Sequence, residues 1–172
     1  MSAAATPAAA KAPERIEHQG ILEVRDLCTY FKLSQGMVHA VEDVSFAIGK
    51  GESLGLAGES GCGKTTVALS VLKLLPENGR IVSGEMLFDG RNLTRRTEYG
   101  MSKIRWKEIS MIFQGAMNAL NPVRETGKQI AEPIMLHEGL PESKALDRAR
   151  ELFELVGINP KRIMEYPHQL SG

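Results

Sequence analysis

The segment Gly58-Glu59-Ser60-Gly61-Cys62-Gly63-Lys64-Thr65 fits the pattern G-x-x-x-x-G-K-[ST] at every fixed position, and it constrains the chain more than any other stretch. Each requirement has a physical reason. Glycines let successive backbone N–H groups turn inward without a Cβ in the way. Such N–H groups form a concave nest for phosphate oxygens, and a helix opening at Gly63 adds its positive N-terminal end. Lys64 can reach β- and γ-phosphates, and the Thr65 hydroxyl can ligate magnesium. The loop follows a short apolar run, 53–57, and leads into an apolar helical run, which is the strand–loop–helix setting this chemistry needs. A plain glycine turn capping a helix would leave Gly63-Lys64-Thr65 unexplained. The loop therefore predicts binding of a nucleoside triphosphate, ATP with Mg2+. Cys62 occupies a variable position and reads as a tolerated small residue.

Around the loop the chain reads as α/β. Segments 21–31 and 38–48 are rich in β-branched and apolar residues and predict two strands joined by a turn at Ser34-Gln35-Gly36. Segment 53–57 predicts a further strand. Helix 64–75 carries Val67, Ala68, Val71, Leu72, Leu74 and Leu75, a broad apolar surface that predicts burial. Pro76 and Asn78-Gly79 end it. A strand over 80–88 is turned by Asp89-Gly90. A short helix is predicted over 101–108 and a compact strand over 109–113. Beyond Gln114 the character becomes helical. The run 125–138 contains Pro133, which predicts a kink or interruption. The stronger helix 141–156 has Pro141 at its start and Gly157 at its exit, with Ala145, Ala149, Leu152 and Val156 expected on one face. The resulting division is a disordered Ala/Pro-rich tail over 1–19, a nucleotide-binding core over 20–115 and a helical subdomain over 116–172.

Charge and cysteine content narrow the partners. Lys+Arg and Asp+Glu both number 21, for a formal net charge of zero. A duplex-binding protein carries a basic excess, so no nucleic-acid partner is expected. Cys28 and Cys62 are too few for a disulfide framework and fit a reducing cytosol. No apolar run approaches the roughly 20 residues of a membrane span; a membrane, if involved, must come from a partner.

Three further features resemble one family. An aromatic pair stands upstream in Thr29-Tyr30-Phe31, a predicted strand ends in Met111-Ile112-Phe113-Gln114, and the chain closes with Tyr166-Pro167-His168-Gln169-Leu170-Ser171-Gly172. With the loop, this order resembles the ATP-binding subunits of ABC transporters over residues 20–172. The run from Ile109 to Gln114, followed by Met117-Asn118-Ala119-Leu120-Asn121-Pro122, is similar to the importers for dipeptides, oligopeptides and nickel. Gly115-Ala116 departs from the acidic residue and proline common there.

The resemblance implies a P-loop core of ABC type with an antiparallel β layer and a helical subdomain. It implies that Phe31 stacks on adenine, that Gly58, Glu59, Ser60, Gly61, Cys62, Gly63, Lys64, Thr65 and Thr66 hold the phosphates, and that Gln114 contacts magnesium and the attacking water at a hinge. Leu170, Ser171 and Gly172 would open the signature that faces the partner subunit's ATP. Implied partners are transmembrane permease subunits, a second ATP-binding subunit and, indirectly, a solute-binding protein, at the cytoplasmic face of the membrane.

An ATPase of this type also needs an apolar strand ending in Asp-Glu. The aspartates are Asp26, Asp43, Asp89 and Asp147, and none stands in that setting. The chain is therefore expected to be the N-terminal part of a longer ATPase, truncated before the Walker B strand and inactive by itself. Two other classes share the loop: a soluble ABC-type ATPase not linked to transport, and a non-catalytic nucleotide-binding fragment. Neutral charge and the Leu-Asn-Pro segment argue against the first.

Overall fold

Strand formation begins where β-branched and apolar residues concentrate. In the computed structural model, which describes residues 20–113, 115 and 119–170, β1 (Leu22–Leu33) and β2 (Gly36–Ile48) form an antiparallel hairpin joined by Ser34 and Gln35. β3 (Gly79–Phe88) pairs with the other edge of β1, and the short β4 (Arg91–Asn92) follows it, giving the order β2-β1-β3-β4. Asp89 and Gly90 both have positive φ, 47° and 72°, between the paired Phe88 and Arg91. That is the two-residue hairpin turn expected of Asp-Gly.

The β1–β2 pairing is broken by bulges. Thr29 faces Val41 and Tyr30 faces His39, so Ala40 has no opposite number. Bulges add twist and re-aim the side chains on either side. At another bulge Asp26 adopts φ 48°; its N–H donates to Ser45 Oγ at 2.8 Å, and the Ser45 hydroxyl returns a bond to Asp26 Oδ1 at 3.0 Å. The reciprocal pair satisfies groups the irregular ladder leaves over.

Helix α1 (Lys64–Val71) packs on β1 and β2 through Val67, Ser70 and Val71. It stops four residues short of the expected end. Lys73 takes φ 51°, its N–H bonds Ser70 O at 3.0 Å, and Leu74 N–H bonds Leu69 O at 2.9 Å. These two bonds make a Schellman cap, and they turn the chain out before Leu74, which is exposed. A buried polar relay ties helix to sheet. Ser70 Oγ donates to Thr66 O at 2.7 Å and lies 2.8 Å from Thr29 Oγ1, with both residues fully buried. A serine has one hydroxyl hydrogen, so Thr29 is the donor to Ser70.

Two expected strands, 53–57 and 109–113, do not form ladders. Residues 53–57 are exposed and unpaired, and 109–113 makes only a single bridge from Ile109 to Arg105. An apolar run becomes a strand only when a neighbour supplies its hydrogen bonds, and no described segment pairs along either stretch.

The described residues divide into two compact units, with the chain passing from one to the other between Arg95 and Arg96. In the second unit α2 spans Glu98–Ser102 rather than 101–108. Thr97 caps it by accepting from Gly100 N–H, and Trp106, at φ 70°, cannot continue a helix. α3 (Thr126–Glu138) runs through Pro133 without interruption. α4 (Glu142–Leu155) packs on α3 and buries Ala145, Ala149 and Phe153, while Val156 is exposed rather than on that face. Gly157 N–H to Glu154 O and Ile158 N–H to Phe153 O close its end. A 3-10 turn (Pro160–Met164) seats Ile163 against Gly127, and α5 (Pro167–Leu170) follows. Among the described residues no helix is long and apolar enough to cross a membrane.

The Thr29–Ser70 relay gives a stability prediction. Ser70→Ala leaves the Thr29 hydroxyl buried without an acceptor and should cost about 1–3 kcal/mol in denaturant unfolding. Adding Thr29→Val removes the orphan, so the double variant should recover part of that loss. Strictly additive losses in the cycle would show that the two hydroxyls are not coupled.

Candidate phosphate-binding site

The loop between 57 and 64 is closed on itself by its own lysine. Lys64 Nζ donates to Gly58 O at 2.8 Å and to Glu59 O at 2.7 Å, with Cys62 Sγ at 3.4 Å. Cys62 N–H bonds Glu59 O at 3.3 Å, which adds a turn inside the ring. Before the loop, the Glu52 carboxylate accepts from Gly49 N–H at 2.7 Å and fixes the exit from β2.

Close approach of backbone dictates the glycine at 63, and a movable side chain crowds the one at 58. Gly63 has φ 95°, and a Cβ there would stand 2.2 Å from the carbonyl oxygen of Ala40 on β2. At Gly58 a Cβ would stand 2.6 Å from Cys62 Sγ. The sheet therefore meets the start of α1 through bare backbone.

Gly63 is also the N-cap of α1, and it offers no side-chain acceptor; the first turn holds no acidic residue. Its N–H groups, with the helix dipole, are left to an anion from outside the helix. A positive ammonium, an uncapped helix start and a glycine ring fit a phosphate chain. Thr65, in the first turn, is exposed, and Thr66 is half-buried with its carbonyl held by Ser70. These are the donor and ligand types that a triphosphate with magnesium would use.

The aromatic pair separates onto opposite faces of β1, as strand alternation requires. Phe31 is half-buried, and its ring covers Gly79 on β3, where a Cβ would be 2.7 Å from Phe31 Cε1. Tyr30 instead stacks on its cross-strand partner His39, ring centroids 3.8 Å apart and planes within 4°. The Tyr30 hydroxyl donates to Glu42 Oε1 at 2.8 Å, and His39 Nδ1 lies 2.8 Å from Glu42 Oε2. The hydrogen bond to Glu42, with desolvation and its negative charge, pushes the Tyr30 pKa up to about 12. This trio carries no sequence signal, because Glu42 reaches His39 and Tyr30 only across the bulge at Ala40.

In the second unit the Leu-Asn-Pro segment has a structural reason. Asn121 N–H donates to Gln129 Oε1 at 2.8 Å, and Gln129 Nε2 donates to the carbonyls of Asn121 and Arg124 at 2.9 and 2.8 Å. Gln129 on α3 thus holds the turn, a role the sequence did not single out. In the closing run Gln169 Oε1 accepts from Tyr166 N–H at 2.8 Å, Arg162 reaches Gln169 O at 2.6 Å, and Leu170 ends α5. Gln114, Ser171 and Gly172 lie outside the described residues.

Residues 41–172 match the family model described as ABC transporter. The chain is 44% identical over 155 residues to the probable peptide ABC transporter ATP-binding protein y4tR of Sinorhizobium fredii, covering 88% of this chain and 46% of that protein. It is 44% identical over 155 residues to the oligopeptide transport ATP-binding protein OppD of Bacillus subtilis, covering 88% of this chain and 43% of that protein. For OppD of Escherichia coli the identity is 39% over 154 residues, with 88% and 45% covered. The chain spans about half the length of the curated relatives it matches. In fold it is similar to the dimeric post-hydrolysis state of the ATP-binding cassette MJ0796 bound to ADP and Pi, with a TM-score of 0.74, 22% identity, and 87% of this chain and 63% of that one covered. The match over residues 41–172, more than half of the chain, shows that this chain belongs to the ABC transporter family.

Proposed function

We propose that this chain is the N-terminal part of an ATP-binding subunit that powers import of peptides, or of nickel, through a membrane complex. The observation that carries the reading is the Lys64 ammonium closing the 58–63 loop beneath the uncapped start of α1. The peptide assignment is supported by the names of the relatives at 39–44% identity. Residues 20–115 would serve nucleotide binding and 116–172 the helical subdomain.

On this reading Gly58 to Gly63 turn their N–H groups onto phosphate oxygens, and Lys64 leaves its carbonyl partners for the β- and γ-oxygens. Thr65 would supply a hydroxyl to magnesium, whose charge would offset that of the phosphates, and Thr66 would sit beside the α-phosphate. Phe31 offers its ring to adenine. Gln114 would orient water and contact the metal, and Leu170, Ser171 and Gly172 would face the nucleotide held by a second ATP-binding subunit. Permease subunits would hold the complex at the cytoplasmic face of the membrane, with a solute-binding protein acting through them. None of Asp26, Asp43, Asp89 and Asp147 is followed by glutamate, so on this reading the Asp-Glu pair that hydrolysis uses is not among the residues assigned here.

Three measurements test the reading. Lys64→Ala should weaken ATP binding in calorimetry about tenfold to a hundredfold, as expected for lost charge-assisted hydrogen bonds; unchanged affinity would rule out the phosphate site. Phe31→Ala should cost about 1–3 kcal/mol of ATP affinity, by analogy with base–aromatic stacking. It should leave the affinity for magnesium tripolyphosphate, which has no base, unaltered. Unaltered ATP affinity in this variant would remove Phe31 from the base site. In the intact protein assembled with its permeases, ATP hydrolysis should rise on adding a peptide-loaded binding protein. A rate indifferent to peptide and to nickel would favour an ATPase not linked to import.

A further inference from the structure

The trio on the hairpin stands next to a place where the sheet meets the phosphate loop. His39 and Glu42 flank the bulge at Ala40, and Tyr30 is the cross-strand partner of His39. Glu42 is the common acceptor: one carboxylate oxygen takes the Tyr30 hydroxyl and the other takes His39 Nδ1. A carboxylate only accepts, so Nδ1 carries the hydrogen. The stack of Tyr30 on His39 fixes both rings against each other. Ala40, next to His39 in the chain and unpaired in the ladder, directs its carbonyl at Gly63 with no room for a Cβ.

We propose that Tyr30, His39 and Glu42 form a positioning clamp that holds the Ala40 bulge against Gly63 and thereby sets the phosphate loop for its ligand. The proposal rests on the phosphate-binding reading of residues 58–65. A bulge has an extra residue and looser pairing than a regular ladder, so its backbone needs side-chain contacts to stay in one place. Displacement of the Ala40 carbonyl moves the helix start, where the N–H groups that would meet phosphate are found. The three residues act through backbone and touch no ligand, which makes them positioning residues.

The test compares ATP and inorganic tripolyphosphate, each with magnesium, as ligands of the intact protein in calorimetric titrations. Glu42→Ala, which removes both hydrogen bonds, and Tyr30→Phe, which keeps the stack and removes one, should each weaken the two ligands by the same factor. That factor should be about threefold to tenfold for Glu42→Ala and smaller for Tyr30→Phe. Glu42→Gln, which retains an acceptor for Tyr30, should recover part of the loss. Unchanged affinities for both ligands in folded variants, with or without a lower unfolding temperature, would overturn the clamp and leave a merely structural contact. Loss for ATP alone would also overturn it, since that result assigns the trio to the base. Unmodified protein that binds neither ligand would overturn the phosphate-site reading and the clamp with it.

Discussion

The first unit depends on a buried relay of two hydroxyls. Thr29 on β1 donates to Ser70 on α1, and Ser70 donates to the Thr66 carbonyl one turn earlier. Apolar contacts from Val67 and Val71 hold the helix on the sheet, but they are tolerant of small rotations. A hydrogen bond is not, because its strength falls steeply with angle. The relay therefore fixes the rotation of α1, and with it the direction in which the helix start and Lys64 point. Removing the Ser70 hydroxyl orphans that of Thr29 in a buried site, whereas Ser70 without Thr29 keeps its bond to the Thr66 carbonyl.

A second contact sets the height of the helix rather than its rotation. The Ala40 carbonyl meets Gly63 where the sheet bulges, so the helix start rests on backbone. Side chains at this place would add rotamers and slack. Backbone against backbone has neither, which suits the nest of backbone N–H groups proposed for phosphate. Lys64 completes the arrangement by holding the Gly58 and Glu59 carbonyls from inside the ring.

Much of this was legible from residue chemistry. The hairpin at Ser34-Gln35, the Asp89-Gly90 turn and the glycine exit of α4 each rest on local rules that neighbours cannot override. The misses share another character. The stretches 53–57 and 109–113 have strand composition, but a strand needs partners, and composition does not report them. α1 was read too long because a non-glycine residue, Lys73, takes the left-handed cap. α2 was placed too late because Thr97 caps it early and Trp106 leaves helical geometry. Val156 was placed on the buried face by period alone, although the helix ends before it. The trio around Glu42 was invisible for a related reason: a bulge shifts the alternation of side chains, and no periodicity marks where it falls.

The glycine at 63 carries a consequence for how such loops change over evolutionary time. Two separate demands fall on it, the nest of N–H groups and the carbonyl of Ala40 pressed against its α-carbon. A descendant that ceased to bind nucleotide would be released from the first demand and still held by the second. Its lysine at 64 would be free to drift, while the glycine would stay for the sake of the hairpin. In chains built this way a surviving Gly63 testifies to the architecture, and only the lysine beside it testifies to the ligand.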